Sequence, residues 1–272
     1  MTPLVAFILG IVEGLTEYLP ISSTGHLILF GALLEKLGQK SEGSGSFDIV
    51  IQLGAVLAVV VQYRELLGRR VRGLVVRERA AMDLAIALAA GFVPTAIAGL
   101  LFRKAIKAHL FGPMPVAAAL VVGGIVMIIV ERVRRKRGAE GLTGLEHVTP
   151  KRALVIGLGQ CFSLWPGTSR SMCTILAGQA TGLSTATAAE FSFLLALPTL
   201  GAATAYETYK GRHELAQAGG LNVAIGFVVS FLVAWVVIAG FVKYLQKRGL
   251  EPFGYYRIAL GLIVLFTLGA HA

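Results

Sequence analysis

The chain has 272 residues, of which 56% are hydrophobic and only 15% charged, well short of the roughly 25% charged residues of a typical soluble domain. That deficit argues against a large water-soluble core, and no stretch is long and polar enough to form a separate soluble domain, so residues 1–272 read as a single membrane domain. A net charge of +10 would favour nucleic acid in a soluble protein, but here the basic residues sit in short loops between apolar runs, which predicts a membrane setting and no nucleic-acid partner.

The first apolar stretch, 3–36, breaks at Leu19-Pro20. Its opening is not expected to be a signal peptide, because it lacks a basic n-region and carries Glu13 and Glu17 where an apolar h-region belongs. Each half is too short to cross a hydrocarbon core, so the pair predicts a helix–loop–helix that enters and leaves by one face. Spans are predicted at 47–63, 82–102 and 114–131. A second broken stretch, 151–181, is interrupted at Trp165-Pro166-Gly167, and further spans are predicted at 185–206, 221–242 and 253–270. The expected fold is thus an all-α integral membrane protein with six transmembrane helices plus two re-entrant helix–loop–helix pairs. Loops 64–81, 132–152 and 243–252 hold sixteen Lys and Arg, against seven in 35–46, 103–113 and 209–220. The first group should be cytoplasmic, with both termini facing outward.

An offset of 147 places Gly10-Ile11-Val12-Glu13 on Gly157-Leu158-Gly159-Gln160, and Ser22 on Ser169. Residues 83–92 match 222–231 at an offset of 139, while 114–131 and 253–270 match only in hydropathy. Each half, approximately 1–135 and 150–272, is one broken pair followed by three spans. Three is odd, so the second half should lie inverted relative to the first, with both breaks aimed at the bilayer middle. Transporters often place sites where such discontinuous helices meet.

The chemistry concentrates at these breaks. Glu13 and Glu17 are four apart and share a helix face, where like charges repel. Each costs roughly 2.5–3.5 kcal/mol at membrane depth. A hard divalent cation, Mg²⁺ or Ca²⁺, between them would relieve both problems. Ser22, Ser23 and Thr24 follow Pro20 at a half-helix start, where hydroxyls cap backbone N–H groups and the dipole favours phosphate. His26 lies three residues beyond Ser23, making a serine with a nearby base and hence a nucleophile candidate. The second break adds Gly167, Thr168, Ser169 and Ser171 around Arg170, whose planar fork suits a phosphate. Taken singly, these features have ordinary readings. The Ser22–Thr24 run could be a helix cap, His26 a satisfied interior histidine, the glutamates proton carriers, and Arg170 a structural partner for one of them. All on two facing breaks, they make the set that phosphoryl transfer needs. Asp48, Gln52 and Glu190 are expected to cap or bond internally, Trp165 to pack, and Cys161 and Cys173 to fill space. His109, His147, His213 and His271 are expected to have no role.

At these residues the chain resembles the bacterial undecaprenyl-diphosphatases of the bacitracin-resistance type. The resemblance is carried by Glu13-Gly14-Leu15-Thr16-Glu17, Tyr18-Leu19-Pro20-Ile21-Ser22-Ser23-Thr24-Gly25-His26, Pro166-Gly167-Thr168-Ser169-Arg170-Ser171 with Thr174, and 189–198. It implies an enzyme of the bacterial cytoplasmic membrane that hydrolyses undecaprenyl diphosphate to the monophosphate carrier used in peptidoglycan synthesis. It also implies dependence on a divalent cation, bacitracin resistance and a homodimer. Carried over, Glu17, Ser23, His26 and Arg170 are catalytic, and Glu13 and Glu17 bind the metal. Ser22, Thr24, Gly167, Thr168, Ser169, Arg170, Ser171 and Thr174 hold the substrate's phosphates. The active site is expected to open to the outer side. Ser23 is the expected nucleophile, with Glu17 or His26 as base; attack by water at the cation is the alternative. A rival reading is a transporter or flippase of polyprenyl phosphate on the same inverted scaffold.

Overall fold

In the computed structural model of the chain, described for residues 1–36, 38, 45–138, 141–210 and 220–269, the first break is bracketed by helices α1 (Pro3–Thr16) and α2 (Ser23–Lys36). His213, His271 and most of the loops expected at 35–46 and 209–220 lie outside the described residues. α1 starts where Thr2 caps it, its hydroxyl accepting the Val5 N–H at 3.3 Å, with Pro3 at the first helical position. The first three expected spans fall on α3 (Gly45–Gln62), α5 (Arg79–His109) and α6 (Pro113–Lys136). Between α3 and α5, where a loop is expected, the chain forms α4 (Arg64–Val75). Its leucines and arginines are good helix formers, which explains the difference. The second break lies between α7 (Pro150–Gln160) and α8 (Arg170–Ala180), with a 3₁₀ turn at Cys161–Leu164. Then come α9 (Thr185–Lys210), α10 (Gly220–Leu245) and α11 (Glu251–Gly269). No β-strand occurs among the described residues.

Among the described residues, four helices are long and apolar enough to cross a membrane, at Arg79–Phe102, Pro113–Lys136, Thr185–Tyr206 and Gly220–Leu245. α3 is a fifth candidate when taken with α4, from which it is bent by 75°. α11, the sixth expected span, is not among them; it carries Glu251 and Arg257 and packs along α6. Large apolar side chains are exposed along the spans while several charged ones are buried between them. Leu100 and Val236 are 84% and 69% exposed, whereas Glu13 and Arg257 are 1% and 0% exposed. A water-soluble protein has the opposite arrangement, and ionisable groups turned inward from an apolar belt mark a working interior. This is a multi-pass helical membrane protein.

The two halves interlock. α1 of the first packs on α10 of the second, and α7 of the second packs on α5 of the first. α6 pairs with α11, and α3 meets α9. Small residues permit the closest approach, as expected where lipid supplies no hydrophobic drive between helices. A Cβ on Gly14 would sit 2.7 Å from the Ser230 carbonyl and 2.8 Å from Val233 Cβ. Gly14→Leu is therefore expected to force α1 off α10 and cost about 1–3 kcal/mol, read as a lower thermal midpoint in detergent. An unchanged midpoint would show that this contact yields freely.

Candidate active site

Both breaks are turned by a serine in the left-handed backbone region. Ser22 has φ +72° and Ser169 φ +75°. Few non-glycine residues adopt this conformation, and surroundings must hold it. In each case the hydroxyl caps the following helix: Ser22 Oγ accepts the Gly25 N–H at 3.3 Å, and Ser169 Oγ accepts the Met172 N–H at 3.3 Å. The serines and their capped residues stand at the same sequence offset as Glu13 and Gln160.

These turns bring three predicted residues into one hydrogen-bonded series. Ser23 Oγ donates to Glu17 Oε2 at 2.6 Å. Arg170 Nη2 donates to Glu17 Oε1 at 3.2 Å, and Arg170 Nη1 donates to the Ser192 carbonyl at 2.9 Å. The guanidinium also lies 5.8 Å from the centre of the Tyr18 ring. The Arg170 and Glu17 side chains are only 8% and 4% exposed, so water screens the pair little and removing either partner strands a buried charge. Arg170 Nε has no protein partner, which leaves one donor of the fork for an anion. A hydroxyl held on a carboxylate that a third group orients is the geometry of an activated nucleophile. A cavity of about 220 Å³ lies alongside, lined in part by Glu17, Ser22, Ser23, Thr24, Gly167, Ser169 and Arg170.

A family profile described as bacitracin resistance protein BacA matches residues 6–263. The chain belongs to that family. It is 61% identical over 263 residues to an undecaprenyl-diphosphatase of Sorangium cellulosum, covering 96% of this chain and 85% of the relative. It is 49% identical over 266 residues to undecaprenyl-diphosphatase 2 of Rhodospirillum rubrum, covering 96% and 93%. An undecaprenyl-diphosphatase of Thermoanaerobacter pseudethanolicus is 44% identical over 263 residues, covering 97% and 96%.

The other predicted residues of this BacA-family chain divide by where they point. His26 does not touch Ser23. Its Nδ1 donates to the Ser22 carbonyl at 2.7 Å, and in that tautomer Nε2 accepts the Tyr256 hydroxyl at 2.6 Å. Of the two expected bases, Glu17 is the one bonded to Ser23, because the positive-φ turn at Ser22 aims the serine back at α1. Thr168 bonds the Trp165 carbonyl, and both line a separate apolar groove. Ser171 donates to the Leu19 carbonyl at 2.9 Å, pinning the second break to the first, and accepts from Ser169. Thr174 faces Ser192 at 2.6 Å. Neither Ser171 nor Thr174 lines the cavity; both brace the loop that presents Arg170.

Both carboxylate oxygens of Glu13 are buried without a partner. Glu13 shares a second cavity, about 210 Å³, with Ser23, Thr24, Asp48 and Gln52. Gln52, Ser23 and Thr24 line both cavities. Glu17, expected with Glu13 as a metal ligand, has a donor on each oxygen and keeps a further lone pair on each. Asp48 and Gln52 add hard oxygen donors beside Glu13. No three His, Cys, Asp or Glu among the described residues converge into a metal cage.

Sequence reasoning gave Asp48 and Gln52 to capping or internal hydrogen bonding, although an acid and an amide four apart inside an apolar run are a recognisable sign. It passed over Arg257, the lone arginine within 253–270. Fully buried, Arg257 donates to the carbonyls of Pro20, Gly167 and Ala119 at 3.1, 2.9 and 3.1 Å. It ties both breaks to α6.

Proposed function

We propose that the Ser23–Glu17–Arg170 series hydrolyses undecaprenyl diphosphate to undecaprenyl phosphate and inorganic phosphate, returning the lipid carrier to peptidoglycan synthesis. The observation that carries this reading is the 2.6 Å bond from Ser23 Oγ to a Glu17 carboxylate that Arg170 holds from the other side. Ser23 Oγ attacks the terminal phosphorus as its proton passes to Glu17. The bond to the bridging oxygen breaks, and the lipid leaves as its monophosphate. Water then cleaves the phosphoserine and releases phosphate. Arg170, with Ser22, Thr24 and the backbone at Gly167 and Ser169, neutralises and orients the phosphate oxygens.

Glu13, Asp48 and Gln52 would hold Mg²⁺ or Ca²⁺, which supplies Lewis-acid neutralisation of phosphate charge when bound. Phosphate release by the purified protein in detergent, with and without a chelator, tests the reading: chelation should abolish it and Mg²⁺ or Ca²⁺ restore it. Asp48→Asn should raise the cation concentration for half-maximal rate by roughly tenfold or more; an unchanged requirement would remove Asp48 from the cation site.

The same reading takes the architecture as six spans and two re-entrant pairs in an inverted repeat, in the bacterial cytoplasmic membrane, with the cavity reached from the outer side. The matching turns at Ser22 and Ser169 and the exchanged packing of α1 and α7 support it. Accessibility of single cysteines in loops 103–113 and 132–152 to a membrane-impermeant reagent tests the orientation. The homodimer would be two complete sites, since one chain supplies every residue of the series; light scattering of the solubilised protein tests it. Transport of the monophosphate does not require a serine hydroxyl held on an oriented carboxylate, and that reading is set aside.

A further inference from the structure

The segment 64–79 has features that setting membrane orientation does not require. It holds six arginines and two glutamates but no lysine. Any cation serves the orientation rule, whereas only the guanidinium offers a planar fork to phosphate. α4 leaves α3 at 75°, so with α3 crossing the bilayer α4 lies near the plane of its surface. Val71, Val75 and Val76 are 61%, 83% and 75% exposed. Apolar residues exposed beside arginines on such a helix suit the boundary between headgroups and acyl chains.

Arg69, Arg70 and Arg72 line a cavity of about 600 Å³ with Leu66, Gly73 and Val76. Gly73 shapes it: a Cβ there would lie 2.5 Å from Glu78 Oε2 and 2.9 Å from Ala81 Cβ, so only glycine lets α4 fold this closely onto α5. Glu78 also lines the cavity, and Arg70 opposes it at 3.6 Å. Arg69 and Arg72 remain as net positive charge, and Arg70 Nε is a buried donor with no protein partner. This cavity shares no residue with the catalytic ones.

We propose that the arginine cavity of α4 binds the phosphate-bearing headgroup of an anionic phospholipid in the adjacent leaflet, with the α4 valines seated in the acyl boundary. Basic pockets at the cytoplasmic ends of spans recognise such headgroups through charge and bidentate hydrogen bonds. The inference depends on α3 crossing the membrane and not on the phosphatase mechanism.

The test uses the full chain in a neutral detergent, titrated with phosphatidylglycerol and, separately, phosphatidylcholine, with bound lipid counted by native mass spectrometry. Phosphatidylglycerol is expected to bind in preference. Arg69→Gln/Arg72→Gln, which leaves the Arg70–Glu78 pair in place, should weaken it tenfold or more. Lys247→Gln/Arg248→Gln, which removes the same charge from another loop, should leave it unchanged. Equal weakening in both double variants, no preference over phosphatidylcholine, or full displacement by millimolar inorganic phosphate would each overturn the proposal, the last by assigning the cavity to free phosphate. Should Arg69→Gln/Arg72→Gln fail to fold, Val75→Gln/Val76→Gln offers a second test. It should lower phosphatidylglycerol affinity while leaving all six arginines, and unchanged affinity would count against the site.

Discussion

Ser23→Ala is expected to lower kcat on the order of 10³-fold or more while leaving the protein folded. Loss of a nucleophile that acts as a unit with its base removes most of the catalysis above binding alone. Ser23 donates one hydrogen bond, to the buried carboxylate of Glu17, and losing it costs about 1.5–3 kcal/mol of stability, while Arg170 still holds the other oxygen. Glu17→Gln should match the loss in kcat, because the amide cannot take the serine proton, and should also destabilise the protein by leaving buried Arg170 without its counter-charge. Rapid acid quench with labelled diphosphate should trap phosphate on Ser23 in the parent protein and none in Ser23→Ala. Substantial phosphate release by Ser23→Ala would mean that water attacks directly and that the hydroxyl only positions substrate. His26→Gln should cost less kcat than Glu17→Gln, since His26 is engaged by Ser22 and Tyr256. The reverse order would make the Ser23–Glu17 bond incidental.

The residue types of the site were legible in the sequence because each is expensive where it stands. A carboxylate, an arginine and consecutive hydroxyls inside apolar stretches need a reason, and the breaks at Pro20 and Pro166 placed them at half-helix starts. The choice between Glu17 and His26 as the partner of Ser23 was not legible. Spacing put His26 within reach of Ser23, but the sign of φ at Ser22 decides where the serine points, and no pattern of residue types encodes that sign when the residue is not glycine. Asp48 and Gln52 were hidden for another reason: their contact with Glu13 runs between α3 and α1, and only tertiary packing shows which face of α3 turns inward.

The spans were legible for the usual reason that hydrocarbon demands long apolar helices. α4 was missed because its arginine-rich composition resembles a solvated loop, and the balance of helix propensity against charge repulsion is settled by Gly73 packing on Ala81. The proposed repeat is faint in identity, and its support lies in the backbone. Ser22 and Ser169 share a positive φ and one capping bond on helices that otherwise differ in sequence. Geometry at a turn is constrained more tightly than the side chains along a lipid-facing helix, which any apolar residue can fill.

Arg257→Met is expected to damage stability and activity together. The guanidinium satisfies the carbonyls of Pro20 and Gly167, which the breaks have freed from helical bonding and which lipid cannot hydrate, and also bonds the Ala119 carbonyl within α6. Methionine fills much of the volume but donates nothing. Two buried acceptors left unpaired, at Pro20 and Gly167, cost about 1 kcal/mol each at the low end, a gross loss of ~2 kcal/mol. That is offset in part because an arginine need no longer be buried. The thermal midpoint in detergent should fall by several degrees. Because Pro20 precedes Ser22 and Gly167 precedes Ser169, loosening these carbonyls should also misplace both turns and lower kcat at least tenfold, with little change in KM. Arg257→Lys keeps the charge but replaces the fork with one ammonium, which cannot span three carbonyls in different directions; it should fall between the parent and Arg257→Met on both measures. A methionine variant with parental midpoint and rate would mean that the breaks hold themselves, and that the strained serines owe their conformation to their own caps.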